Sequence, residues 1–323
     1  MSHAIRVHEA GGPEVLRWEE VQVPAPGPGE VKLRQSAVGL NFIDVYQRTG
    51  LYQVPSPYIA GQEGAGTVLE VGPGVTGFKP GDRVAYTSVM GAYCEERLAP
   101  AARLVPLPEG ISEETAAAMM LKGLTAEYLL RRVWPVKKGN TILFHAAAGG
   151  VGLIACQWAK ALGAVVIGTV GSEEKAQLAR AHGCDHAIVT GKEDFVARVR
   201  EITGGRGVPV VYDSVGKDTW AGSLDCLSPR GLMVSFGQSS GKVAPFDLGV
   251  LGQKGSLFLT RPTLASFIAD PGELREASAA LFAMVLGGQV KIQINQRYPL
   301  REAARAHRDL EARKTTGSTV LTI

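Results

Sequence analysis

Cysteine is scarce: four residues in 323, at Cys94, Cys156, Cys184 and Cys226. They lie far apart, with no CxxC pair and no Cys/His spacing of a metal site. That excludes a disulfide framework and a zinc module, and predicts four reduced structural thiols. Nowhere does an apolar run approach the roughly 18 residues that a membrane-spanning helix needs. The start, Met1-Ser2-His3-Ala4-Ile5-Arg6, has no apolar h-region and reads directly into a strand, so a cytoplasmic protein is expected. Basic tracts are also missing, and the net charge is only +3. Electrostatics therefore give no reason to expect nucleic acid or a membrane as partner. Internal repeats and low-complexity segments are absent as well.

What the chain does have is length enough for about two domains and one informative stretch, Leu143-Phe144-His145-Ala146-Ala147-Ala148-Gly149-Gly150-Val151-Gly152. An apolar run, Thr141 to Phe144, enters a turn of small residues and leaves it as a helix, Val151 to Leu162. Such a turn brings bare backbone N–H groups and a helix N-terminus up to a pyrophosphate, because a side chain larger than a methyl holds the phosphates off. The first glycine of the usual G-x-G-x-x-G is missing, since Ala147 stands there. With 40 glycines in the chain, the strand–turn–helix context carries more weight than the glycines themselves. His145, just before the turn, is expected to be a packed strand-end histidine bonded to backbone.

Around this stretch the chain changes character. Its first ~120 residues carry short β runs (30–34, 66–71, 82–86) cut by Pro24-Ala25-Pro26-Gly27-Pro28-Gly29 and Pro73-Gly74-Val75-Thr76-Gly77, the pattern of a barrel or sandwich. From Glu113, with Ser112 as N-cap, the sequence turns helical. Strands then alternate with helices: strands at 141–146, 165–170, 186–189, 209–213, 232–236 and 256–260, helices at 151–162, 173–182, 193–203 and 219–226. This alternation predicts an α/β fold with a doubly wound parallel sheet. Helices follow near 273–286 and 301–312, and a terminal strand, 318–323, that can pair back with the first domain and make it discontinuous.

An acidic residue about 20 positions past the glycines would take the ribose 2′-hydroxyl of NAD. Here the strand ends Thr169-Val170-Gly171-Ser172-Glu173-Glu174-Lys175 and carries no carboxylate at its tip. Ser172 can donate to a phosphate and Lys175 can serve as its counter-ion. Glu173 and Glu174 read as first-turn acids of the next helix. The expected cofactor is NADPH.

Taken in order, Gly61-Gln62-Glu63-Gly64-Ala65-Gly66, Pro80-Gly81-Asp82-Arg83-Val84 and the Ala-Ala-Gly-Gly-Val-Gly turn resemble the medium-chain dehydrogenase/reductase superfamily over essentially the whole chain. Asn41-Phe42-Ile43-Asp44, Arg48-Thr49-Gly50-Leu51-Tyr52, Lys122-Gly123-Leu124-Thr125 and Val211-Tyr212-Asp213-Ser214-Val215-Gly216 resemble its zinc-independent NADPH:quinone oxidoreductases, relatives of zeta-crystallin. The resemblance implies a Rossmann domain at 125–261, and a discontinuous, GroES-like, mostly β catalytic domain at 1–124 and 262–323. Zinc enzymes of the superfamily place a Cys where this chain has Asn41, a His where it has Gln62 and a second Cys near Leu121–Lys122. No metal site is therefore expected, and alkoxide chemistry is poorly supported. An acceptor that is already electrophilic, a quinone or an enone, takes hydride directly.

By the same resemblance, Asn41, Tyr46 and Tyr52 are the expected hydrogen-bond donors to the acceptor, with a turn or packing role as the competing assignment. Thr125 and Tyr128 are expected near the nicotinamide, and Gly149, Gly150, Val151 and Gly152 at the pyrophosphate. Phe236, Ser239 and Ser240 follow the fifth strand, and Arg313 is expected to join Lys175 and Ser172 at the 2′-phosphate. Relatives often place a tyrosine after the third strand, where this chain has Thr190-Gly191. Strand 256–260, apolar on both faces and at a sheet edge, predicts a homodimer. Two alternatives stay open: an enone or enoyl-thioester reductase on the same fold, and a non-catalytic NADPH-binding protein of structural or RNA-binding function.

Overall fold

The computed structural model describes residues 2–323. It divides into two compact units: residues 1–124, 267–286 and 292–323 form one, and 125–266 with 287–291 form the other.

The first unit opens with β1 (Ser2–Val7), β2 (Arg17–Val21), β3 (Glu30–Leu40), α1 (Phe42–Arg48), β4 (Tyr58–Ile59), β5 (Glu63–Val71), β6 (Arg83–Thr87), β7 (Glu96–Pro100) and β8 (Val105–Pro106). Helix α2 (Glu113–Tyr128) then leads into the second unit, capped by Ser112, whose hydroxyl accepts from the Thr115 N–H at 3.1 Å. Strands β2-β1-β4 make a small antiparallel sheet, and a larger one is built around β3, which pairs with β5 and β7. Strand β3 alternates buried and more exposed residues through Ala37 and is buried throughout from Ala37 to Leu40, and its Val31, Leu33 and Val38 belong to a core with Val68, Val84 and Tyr86. Two of the short β runs seen in the sequence, 30–34 and 66–71, are thus segments of longer strands, and the third, 82–86, corresponds to β6 shifted by one residue. Helix α1, which the β-rich composition hid, springs directly from the end of β3.

Six parallel strands make the sheet of the second unit: β9 (Thr141–Phe144), β10 (Val165–Val170), β11 (His186–Val189), β12 (Val208–Asp213), β13 (Leu227–Ser235) and β14 (Phe258–Thr260). Between them run α3 (Gly150–Ala161), α4 (Glu173–Ala181), α5 (Phe195–Ile202), α6 (Trp220–Asp225) and α7 (Gly249–Gln253). The spatial order is β11-β10-β9-β12-β13-β14. Strand order reverses between β9 and β12, the point at which doubly wound sheets bind ligands beyond the carboxyl ends of their strands. Leu143, Ile167, Val211 and Met233 fill the interior. The edge strand is shorter than expected: Gly255 and Ser256 both have positive φ (+110° and +56°), so extended structure begins only at Phe258.

After α8 (Leu264–Phe267), the chain adds α9 (Pro271–Leu286), β15 (Ile294–Pro299), α10 (Ala303–Glu311) and β16 (Ser318–Thr322). The terminal strand pairs antiparallel with β3, Thr319 opposite Leu40 through Thr322 opposite Ala37. No described helix is long and apolar enough to cross a membrane.

Candidate functional site

In the second unit, the turn after β9 is pinned at both ends. The Ala147 N–H donates to the Thr169 carbonyl (3.0 Å) and the Gly149 N–H to that of Ala146 (2.9 Å). Ala146 takes the left-handed conformation, φ +54°, at a sharp bend. A Cβ on Gly152 would lie 2.3 Å from the Ala146 oxygen, so this glycine lets the first turn of α3 sit directly on the loop. The alanine in place of the first glycine has its own accommodation. Position 168 on β10 is glycine, and a Cβ there would meet the Ala147 methyl at 2.6 Å. The methyl of Ala147 fills the space that Gly168 leaves.

Gly149 is the N-cap of α3 and brings no side-chain oxygen, so the leading N–H groups carry no side-chain cap. A Cβ on Gly149 would find only the Ala146 oxygen, at 3.2 Å. Bare N–H groups, a helix N-terminus and open space above it fit a pyrophosphate. At the tip of β10, Ser172 is the N-cap of α4, its Oγ accepting from the Lys175 N–H at 3.3 Å. Its own O–H remains able to donate outward. Glu173 turns to Arg180 (3.1 Å) and Lys192 (4.0 Å), which leaves the strand tip without an engaged acid.

The remaining candidates of this unit are distributed as follows. Phe236 packs against Phe144, centroids 5.7 Å apart, just past β13. The Ser239 and Ser240 N–H groups close the same loop on Ser214 and Val215. The Ser240 hydroxyl is already engaged, donating to the Val215 carbonyl (2.8 Å) and accepting from the Asp218 N–H (3.0 Å). Thr125 and Tyr128 are buried on α2, and burial raises the Tyr128 phenol's pKa.

His145 departs from expectation. It is fully buried, but its ring nitrogens meet hydroxyls, Thr169 Oγ1 at 2.8 Å and Ser223 Oγ at 2.9 Å, rather than backbone carbonyls. Ser223 and Thr219 in turn donate to Asp213 Oδ2 (2.8 and 2.7 Å). The carboxyl ends of β9, β10 and β12 are stitched together by these side chains. Burial lowers the His145 pKa despite Asp213, so the ring stays neutral.

In the first unit, Asn41 follows β3 and is the N-cap of α1, its N–H donating to Asp44 Oδ2 at 2.9 Å. The amide nitrogen, expected to serve the acceptor, donates to Glu63 Oε2 at 2.8 Å. A carboxylate only accepts, so this bond fixes the orientation of the Asn41 amide. Glu63 is fully buried, accepts the Leu121 N–H at 2.6 Å, and lies 3.4 Å from Lys122 Nζ. Gly39 makes room for it, since a Cβ there would be 2.3 Å from Glu63 Oε2 and 2.2 Å from the Ala117 oxygen. Asn41 and Lys122 therefore converge on one carboxylate oxygen, with Gln62 adjacent in sequence.

Behind Asn41, Asp44 Oδ2 also accepts from the Tyr93 hydroxyl at 2.9 Å, and Tyr93 lies 3.4 Å from His307 Nε2. Burial raises the Asp44 pKa to about 7, against the Asn41 and Tyr93 hydrogen bonds that lower it. Tyr46, on α1, and Tyr52, just past it, meet edge-on, centroids 5.3 Å apart. Tyr52 is 36% exposed. Arg313 lies just past α10 with φ +58°. Among the described residues, no cluster of three or more His, Cys, Asp or Glu side chains could hold a metal ion, and all four cysteines are free and buried.

The structure thus joins Asn41 to Asp44 at the start of α1 and Tyr46 of α1 to Tyr52 just beyond it, and gathers the glycine turn with Ser172 at adjacent strand ends. Sequence reasoning missed Glu63, Lys122, Asp213 and Arg261. The signal for two of these was present: Lys122 is the one charge between Ala116 and Ala126 of an otherwise small and apolar helix. Glu63 interrupts a glycine-rich strand start. Arg261, just after β14, donates to the Ser235 carbonyl at 2.7 Å and acts on Tyr128.

The profile of the alcohol dehydrogenase GroES-like domain matches residues 27–137, and that of the zinc-binding dehydrogenases matches 150–282. The chain is 57% identical to a quinone oxidoreductase of Pseudomonas aeruginosa over 99% of both sequences. It is 48% identical to a 2-haloacrylate reductase of a Burkholderia species, again over 99% of both. Among solved structures, the Escherichia coli quinone oxidoreductase complexed with NADPH superposes with a TM-score of 0.98 at 52% identity, covering 99% of this chain and 100% of that one.

Proposed function

The chain belongs to the quinone oxidoreductases of the medium-chain dehydrogenase/reductase superfamily, and from that premise we propose that it reduces quinones with NADPH by direct hydride transfer, without a metal. The observation that carries this reading is the Asn41–Glu63–Lys122 cluster. At the positions where metal-dependent relatives place ligands, this chain has an amide and an ammonium bound to a shared carboxylate. An ammonium repels a cation and cannot ligate one.

NADPH, when bound, supplies the hydride. The chain's own residues bind and orient it. The uncapped N–H groups of Gly150, Val151 and Gly152 take the pyrophosphate, and Ser172, Lys175 and Arg313 take the 2′-phosphate. Thr125, Tyr128, Phe236, Ser239 and Ser240 line the nicotinamide side, Ser240 through its backbone because its hydroxyl closes its own loop. Tyr46 and Tyr52 donate to the acceptor, with Asn41, its amide oriented by Glu63, as the third candidate donor. Orientation of two flat rings is most of the catalytic requirement, because the developing charge spreads over a conjugated system.

The 2-haloacrylate reductase relative favours one second reading, reduction of an activated alkene. The discriminating experiment follows NADPH oxidation with 1,4-benzoquinone, an alkenal, a haloacrylate and an enoyl-CoA side by side, and repeats it with NADH. Quinone turnover that is faster with NADPH is expected. Turnover of the alkene substrates alone would replace the quinone reading, and no turnover of any would leave a binding protein. We further propose a cytoplasmic homodimer paired through β14, whose Phe258 is 60% exposed at the sheet edge.

A further inference from the structure

Lys122 is the least expected side chain of the first unit. It sits on α2 among Ala116, Ala117, Ala118, Met119 and Met120, all fully buried, and is itself only 7% exposed. Burying an ammonium is costly unless it is paired or used. Its partner Glu63 is served by two shorter bonds, from the Leu121 N–H (2.6 Å) and the Asn41 amide (2.8 Å), while Lys122 Nζ stands at 3.4 Å. The ammonium is thus the most loosely held of the three donors. Of its three N–H bonds, Glu63 engages at most one or two. It also lies beside Asn41, at a position where zinc-dependent members of the superfamily hold their metal.

We propose that Lys122 is a catalytic residue, donating a hydrogen bond to the acceptor oxygen on which negative charge develops, and so doing electrostatically what a metal does elsewhere in the superfamily. The assignment rests on the quinone-reductase reading above. The balance is simple. The acceptor gains the hydride, two electrons and a proton, as the C4–H bond of NADPH breaks and NADP⁺ is left. The resulting oxyanion takes one proton from water to give the hydroquinone. Lys122 keeps its proton throughout, and Glu63 and Asn41 hold it in place.

Two readouts test this, one of them without turnover. Lys122→Met is expected to lower kcat/KM for quinones by about 10²–10³-fold, the usual loss for one charge-stabilising donor. The loss should be larger for alkyl-substituted, weakly electrophilic quinones than for 1,4-benzoquinone. NADPH affinity, read by fluorescence titration, should be unchanged. Since Lys122→Met leaves Glu63 unpaired, Lys122→Met with Glu63→Gln provides a neutral pocket if the single variant folds poorly.

Independently, 4-nitrophenol serves as an analogue of the oxyanion. Bound to the wild-type NADP⁺ complex it should ionise at lower pH than in solution, seen from its phenolate absorbance, and lose that shift in both variants. Rates within threefold of wild type for every quinone, an unchanged nitrophenol shift, or a wild-type complex that does not bind the phenol would each overturn the assignment. Absence of quinone turnover in the wild-type protein would instead defeat the functional reading, and the phenol spectrum would still decide the role of Lys122.

Discussion

A methyl group on Gly152 would meet the Ala146 carbonyl at 2.3 Å and the Ala147 backbone at 2.7 Å, whereas one on Gly149 would meet only a single oxygen, at 3.2 Å. The two glycines therefore serve different ends. Gly152→Ala is expected to cost about 1–3 kcal/mol, because it forces rigid backbone apart. Gly149→Ala should cost far less stability and chiefly weaken NADPH binding. Denaturant titration and cofactor titration of both variants check this, and equal stability losses would refute it.

The buried carboxyl of Asp44 makes a second prediction at this scale. Its pKa is raised by burial from 3.8 to about 7, so the folded state binds more protons than the unfolded state across that interval, and this group's contribution to stability falls as pH rises. His307 has the opposite sign: burial, aided by Arg48, lowers its pKa from 6.5 to about 3, and its contribution falls as pH drops. Between about pH 4 and 6.5 the two offset each other. In Asp44→Asn the offset is gone, and stability relative to wild type should rise by about 1.4 kcal/mol per pH unit across that window. Parallel stability–pH curves for the two proteins would contradict this.

At the scale of elements, what matters is how helix starts are finished. Helix α3 begins at a glycine and leaves its N–H groups uncapped, while α4 begins at Ser172 and α5 at Asp194, whose Oδ1 accepts from Val196 and Ala197. Ser172 therefore has two duties, cap and proposed phosphate donor. Ser172→Ala should cost about 1 kcal/mol of stability and also raise the KM for NADPH. Lys175→Ala should raise that KM with little effect on stability, and should spare NADH. An unchanged NADPH/NADH ratio in both variants would remove this helix start from the 2′-phosphate site. Much at this scale was legible in the sequence, including the alternation of strands and helices and the Ser112 cap, whereas the capping role of Ser172 came from the structure. Helix α1 was not, because its seven residues carry too little periodicity to stand out beside long strands.

For the whole molecule, the proposed self-association concentrates on β14. Phe258→Lys, a charge on an open sheet edge, is expected to move the protein from dimer toward monomer in light scattering, with the fold retained. A dimer of unchanged mass would exclude this strand from the interface. The sequence by itself determined the parallel sheet and the dinucleotide turn, because each depends on residue types within a short span of chain. Only the tertiary structure decided what the isolated polar residues do. Glu63 and Lys122 are 59 positions apart, and Tyr93 and His307 are 214 apart. Folding brings each pair together in surroundings that exclude water, where a charge or hydroxyl must find its partner in the protein. The structure likewise showed that Ala147 replaces a glycine because Gly168, on the neighbouring strand, leaves space for its methyl, and that the Asn41 amide is committed to Glu63.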